Sequence, residues 1–255
     1  MAETNGRLSG KAAIVTGAGG GIGEAVARTF AREGARVTVA DIQEDPVRGV
    51  AAAIQREGGK AVALRADVTR AADVEAMVKA ALDAFGQVDI LVNNVGGYSV
   101  LRTTWEIEES EWDFIVALNL KSAFLCCKAV IPHMLARGYG RIVNLSSIVG
   151  RSAPTLSAAH YSAAKAGVRG LTWHLARELA PHGITVNAVA PWITLTERLK
   201  KLRSPEVDAA LKAQTPIGRF AEPQEIADAI LFLASDASAY MTGATLDVNG
   251  GMLMS

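Results

Sequence analysis

The chain has 255 residues, half of them hydrophobic, and its 26 Lys and Arg balance 26 Asp and Glu to a net charge of zero. That length holds one large domain with a sizeable core, and balanced charge with no run of one sign excludes the basic footprint of a nucleic-acid binder. The start, MAETNGRLSG, lacks the pattern of a secretion signal, and no stretch approaches the roughly 18 charge-free apolar residues of a membrane span, so a cytoplasmic chain without a membrane partner is expected.

Strand and helix signals then alternate along the chain. KAAIVTG reads as a first strand and GIGEAVARTFAREG as a helix ending at Gly34. ARVTVAD is a second strand, followed by a helix from about Asp45 to Glu57. AVALRAD and VEAMVKAALDAFG are the next strand and helix, and VDILVNNVG is the fourth strand. A long helical region covers roughly Ser110 to Arg137. RIVNLSS, a helix from about Ala158 to Ala180, and ITVNAVAP follow, then PQEIADAILFLAS as a helix and ATLDVNGG as the last strand.

Short apolar strands between helices predict a parallel sheet covered on both faces. No linker or internal repeat divides the chain. The expected fold is therefore α/β: residues 1–255 as a single doubly wound Rossmann-type domain, with a central, mostly seven-stranded parallel sheet. The stretch from Thr194 to Arg219 is the one long interruption. It follows a strand's carboxyl end, where ligands bind in such sheets, and is expected to act as a substrate lid.

Three features carry chemistry. The turn TGAGGGIG, Thr16 to Gly23, lies between a strand and an amphipathic helix. Its glycines permit a tight turn and close approach to a pyrophosphate, which the helix N-terminus favours. Asp41 closes the second strand, where a carboxylate accepts both hydroxyls of an adenosine ribose and repels a 2′-phosphate. With no cation in the glycine turn, the expected cofactor is NAD. Tyr161 and Lys165 stand four apart, hence on one helix face. A phenol of pKa about 10 is a poor base at neutral pH, and a neighbouring ammonium lowers that value. Such a pair suits the removal or return of an alcohol proton.

Cys126 and Cys127 are adjacent in an apolar helical run, and the chain has no third cysteine. They read as small buried side chains. His133, His160, His174 and His182 do not have the spacing of a metal set, and no metal is expected.

Together, TGAGGGIG, Asp67-Val68, NNVG at Asn93 to Gly96, Asn119 in ALNL, Ser147 in NLSSIVG, and Tyr161 with Lys165 resemble the motifs of classical short-chain dehydrogenases/reductases over nearly the whole chain. The resemblance implies a catalytic set of Asn119, Ser147, Tyr161 and Lys165. Tyr161 would be the acid/base, and Lys165 would hold the nicotinamide ribose. Ser147, selected over Ser146 by the S-x-x-G register, would hold the substrate oxygen, and Asn119 a water linking Lys165 to solvent. For the cofactor it implies Gly17, Gly19, Gly20, Gly21, Ile22 and Gly23 at the phosphates, with Asp41 and Ile42 at the adenosine ribose. Asp67 and Val68 would flank the adenine. Asn94, Val95 and Gly96 would line the cofactor, with Val95 where alanine is usual.

The end of the sixth strand, APWITLTERL, departs from the family's proline-glycine. Pro191, Trp192, Thr194 and Thr196 take the places of nicotinamide neighbours, and Trp192 either forms an apolar wall there or packs outward. Substrate candidates are Gly97, Tyr98, Ser147, Val149, Leu156, Trp192, Leu195 and Leu199, whose apolar balance predicts a secondary alcohol or its ketone. The closest rival is a 3-oxoacyl-carrier-protein reductase, a subgroup that usually favours NADPH. The family also implies a homo-oligomer, usually a tetramer, built on the helices that start near Ser110 and Ala158.

Overall fold

The structure, a computed structural model, describes residues 6–97, 101–152, 157–200 and 204–254. The strands are β1 (Ala12–Thr16), β2 (Arg36–Asp41), β3 (Lys60–Arg65), β4 (Ile90–Asn93), β5 (Gly140–Leu145), β6 (Ile184–Pro191) and β7 (Thr245–Val248). All pair in parallel in one sheet of order β3-β2-β1-β4-β5-β6-β7. β1, β4 and β6 are buried along their whole length, as strands covered on both faces must be. The chain winds outward from β1 to β3 and then returns to lay β4 on the other side of β1. That reversal opens a crevice at the carboxyl ends of β1 and β4, where such sheets bind ligands.

Helices α1 (Gly21–Arg32), α2 (Glu44–Arg56), α3 (Ala71–Phe85), α4 (Glu109–Val116), α5 (Ser122–Arg137), α6 (Ala159–Leu179), α7 (Glu197–Lys200), α8 (Pro205–Gln214) and α9 (Pro223–Ala234) complete the domain. In α1 the buried residues Gly23, Val26, Ala27 and Phe30 recur at helical spacing and form the inward stripe. α1, α2 and α9 cover one face of the sheet with Val26, Val47 and Ile230 in its core. α3, α5 and α6 cover the other with Met77, Val130 and Leu175. Cys126 and Cys127 sit in this second core, and burial raises both thiols, Cys127 to about 12, which makes them inert.

The sequence pattern predicts one unbroken helical region here, and the structure divides it. α4 and α5 are joined by a π-helical turn, Ala117–Lys121, that contains the buried Asn119. The stretch from Glu109 to Arg137 is apolar and long enough to cross a membrane, and its inward side, including Cys126, Val130 and Met134, packs into the sheet's core. The expected lid holds α7 and α8. Its ends are pinned by a parallel bridge between Thr194 and Ala221, with Leu195 N donating to Ala221 O at 2.8 Å and Ala221 N to Ile193 O at 3.1 Å.

Candidate active site

At the carboxyl end of β1 the glycine turn is fitted to its own helix. A Cβ at Gly23 would lie 2.1 Å from the carbonyl oxygen of Gly17, so only glycine lets α1 start this close to the turn. Asn94 fastens the turn to the end of β4, donating through Nδ2 to Thr16 O at 3.0 Å and Gly17 O at 2.9 Å. Next to it, Asn93 Nδ2 donates to Asn144 Oδ1 at 2.8 Å, and Asn144 Nδ2 to Thr172 Oγ1 at 2.9 Å. These amides tie β1, β4, β5 and α6 into one rigid rim. Gly20 faces open space, with nothing within 4 Å of a Cβ built there.

Asp41 lies beside this turn with its carboxylate engaged. Oδ2 accepts from Gly19 N at 3.2 Å and Oδ1 from Gln43 N at 3.1 Å. Ile42 is exposed. Asp67 accepts from Thr69 Oγ1 at 2.7 Å and from Thr69 N at 3.0 Å, and the hydroxyl bond holds its carboxyl below the usual range. Val68 is buried beside it. At the start of the lid, Thr196 meets the same turn: a Cβ on Gly21 would lie 3.0 Å from Thr196 Cγ2. Glycine turn, strand ends and lid therefore enclose one crevice.

Two of the catalytic candidates, Asn119 and Lys165, meet at Gly96. A Cβ there would lie 2.5 Å from Asn119 Oδ1 and 2.9 Å from Lys165 Nζ, so both side chains crowd against bare backbone. Lys165 is buried, donates to Leu145 O at 2.7 Å, and stands 5.8 Å from the Tyr161 ring centre. Burial pushes its ammonium down to about 8. Asn119 accepts from Gly97 N at 2.8 Å and donates to Gly97 O at 3.0 Å and Ile115 O at 2.9 Å. Both its N–H bonds are thereby used, and one Oδ1 lone pair remains for a water. Ser147 is half-buried and caps the turn Ile148–Gly150, accepting from Val149 N at 3.4 Å, which leaves its hydroxyl proton to donate. Ser146 is buried and donates to Lys165 O at 3.0 Å, a structural role.

Not every expected residue joins this group. Trp192 N donates to Val248 O at 3.4 Å, which ties the end of β6 to β7. It lines a cavity of about 300 Å³ with Thr215, Ile217, Arg219, Asp247 and Asn249, a cavity that neither Ser147 nor Tyr161 lines. Thr194 is buried, and Leu195 and Leu199 are half-buried in the lid. Val149 is buried under the serine turn, and Tyr98 and Leu156 lie outside the described residues.

Two features escaped the sequence reading. Arg151 pairs with Asp247 and links the serine turn to β7. His160, beside Tyr161, is fully buried and bonded on both ring nitrogens. The signal for His160 was present in Ala158, a residue at the helix start with no capping oxygen.

Comparison with known proteins extends this picture. The model of the family described as enoyl-(acyl carrier protein) reductase matches residues 17–253. A 3-oxoacyl-[acyl-carrier-protein] reductase of Vibrio cholerae is 45% identical over 97% of this chain and 99% of its own. Its counterparts in Staphylococcus epidermidis and Synechocystis are 42% and 41% identical, over 96% and 97% of this chain and 99% and 98% of theirs. The crystal structure of gox2181 superposes with a TM-score of 0.93 at 36% identity, covering 96% of each chain. The expectation of NAD does not survive these relatives. They are 3-oxoacyl-carrier-protein reductases, a group that uses NADPH, and that overturns the expectation. Asp41, from which NAD was inferred, accepts one backbone amide on each oxygen, from Gly19 and Gln43, and keeps acceptor sites beyond them, so the correction rests on the relatives and not on this carboxylate.

Proposed function

The chain belongs to the short-chain dehydrogenase/reductase family, whose activity is hydride transfer, and on that premise we propose that it reduces the 3-oxo group of an acyl thioester with NADPH. The observation that carries this reading is the end-to-end likeness to 3-oxoacyl-carrier-protein reductases. The crevice fits a dinucleotide. Its glycine turn brings bare backbone to the start of α1, Gly20 leaves open space, and bare backbone at Gly96 makes room for Asn119 and Lys165. The nicotinamide, when bound, supplies the hydride.

The remaining work falls to the chain's own side chains. Ser147 donates to the substrate oxygen and holds it where negative charge develops. Tyr161 gives that oxygen its proton, and in the reverse direction takes it. Lys165, held by Leu145 O, places a positive charge near the Tyr161 ring and favours the phenolate left behind. Asn119 fixes Gly97, in the segment after β4, and hence one wall of the crevice. A homo-oligomer belongs to the same reading. Phe114, Phe124 and Trp173 are exposed on α4, α5 and α6, the helices that would meet a second copy.

The test is a matched assay with NADPH of a 3-oxoacyl thioester, an apolar cyclic ketone and a keto sugar. Preference for the thioester is expected. Preference for the cyclic ketone would return the substrate to the simple secondary alcohol that the apolar lid residues suggest.

A further inference from the structure

The first turn of α6 carries Tyr161, and its cap is unusual. In a helix the first N–H groups have no partner within the helix, and a Ser, Thr, Asp or Asn at the N-cap takes one two or three residues on. α6 has Ala158 at its N-cap, with no side-chain cap from that residue. The third helical residue, whose N–H such a cap would take, is Tyr161. Its N–H is bonded instead to His160 Nδ1 at 2.7 Å. An N–H can only donate, so Nδ1 is the unprotonated acceptor and the neutral ring carries its hydrogen on Nε2. Nε2 stands 3.3 Å from Glu111 Oε1, on α4, and donates to it. Glu111 is held in turn by Arg102 at 2.9 Å. The imidazole is fully buried, so its two bonds face no competition from water.

We propose that His160 is a positioning residue for the reaction: it replaces the missing N-cap and fixes the backbone of Tyr161, while Glu111 and Arg102 hold its tautomer. The line Arg102–Glu111–His160–Tyr161 thereby joins the segment after β4 to the proton donor. Tyr161 lies at the helix end, where fraying begins, and a proton donor displaced by about 1 Å can lose of the order of a hundredfold in rate. Removing the acceptor lets the first turn open and sets the phenol adrift from Ser147 without touching the cofactor crevice. The inference rests on the acid/base role given to Tyr161 above.

The test compares His160→Leu, which fills the space without an acceptor, with His160→Asn, whose Oδ1 takes the place of Nδ1. The first readout is hydrogen exchange of the Tyr161 amide, which needs no substrate. It is expected to speed at least about tenfold in His160→Leu and to return close to the wild-type rate in His160→Asn, because a lost cap frees the first turn. The second readout is steady-state reduction of whichever ketone in the matched assay the wild type turns over. His160→Leu is expected to lose about tenfold or more in kcat with KM little changed, and His160→Asn to recover most of it. Equal losses in both variants would show that the ring only fills space and would overturn the proposal, as would unchanged exchange in His160→Leu. A wild type that reduces no thioester would defeat the proposed substrate and leave the exchange comparison intact. Normal turnover in Tyr161→Phe would defeat the acid/base role itself.

Discussion

Lys165 hangs from the carbonyl oxygen of Leu145 at 2.7 Å, so the catalytic helix is tied to the last residue of β5 by a buried ammonium. Burial pushes that ammonium down to about 8 from an ordinary 10.5. The unfolded chain therefore holds this proton to higher pH than the folded one. Between about 8 and 10.5 the unfolded state binds more protons, and folding stability gains with rising pH. Below about 8 both states are protonated, and the burial cost is present in full.

Lys165→Met removes this dependence. Urea unfolding of the two proteins from pH 7 to 10 is expected to show the wild type gaining on the variant above pH 8, by at most about 1.4 kcal/mol per pH unit. A flat or falling difference would mean that the folded site stabilises the charge after all.

Tyr161→Phe keeps the ring and deletes the acid. Turnover is expected to fall by at least about a hundredfold, while NADPH binding, followed by nicotinamide fluorescence, survives. Near-normal turnover would move the proton to another group.

NADPH is expected to give a higher kcat/KM than NADH. Asp41, although braced by two amides, still carries charge near the turn and opposes a 2′-phosphate. Asp41→Ala should therefore raise kcat/KM for NADPH. Gly20→Arg should do the same by roughly tenfold, because the position faces open space and a guanidinium there can reach a phosphate. A wild type that prefers NADH would reverse the cofactor correction.

Gly96→Ala should abolish most activity with little change in circular dichroism. The new methyl would stand 2.5 Å from Asn119 Oδ1 and 2.9 Å from Lys165 Nζ, and both groups are buried and bonded in place. A loss of about tenfold or more in kcat is expected from their displacement. Full activity would show that the two side chains have room to retreat.

Phe114 and Phe124 are exposed on adjoining helices, 62% and 47% accessible, which is costly unless something covers them. The double change to glutamate is expected to lower the mass seen by light scattering from that of an oligomer toward that of a monomer. An unchanged mass would place the subunit contact elsewhere.

The fold was legible because short strands with apolar centres alternate with helices that keep an apolar stripe. The succession of elements follows from that alternation, while the strand order in the sheet comes from the structure. The π-turn at Ala117–Lys121 was not legible, since Ala, Leu and Lys sit equally well in an α-helix and the turn differs only in its backbone bonding. Trp192 was legible as a departure but not in direction, since the sequence does not say which side of the strand end its indole takes. His160 lay in plain view beside Tyr161. Its role depends on Glu111, 49 residues away on another helix, and on the absence of an oxygen at Ala158.

The π-turn also absorbs a residue. It holds one residue more than a regular turn, so α5 keeps the phase it would have as a direct continuation of α4. Removing a single residue between Ala117 and Lys121 would restore regular winding without turning α5 against α4. Its effect would fall on Asn119, whose place in the widened turn sets its bonds to Gly97. A one-residue deletion here therefore acts on the catalytic crevice and leaves the outer apolar surface in place.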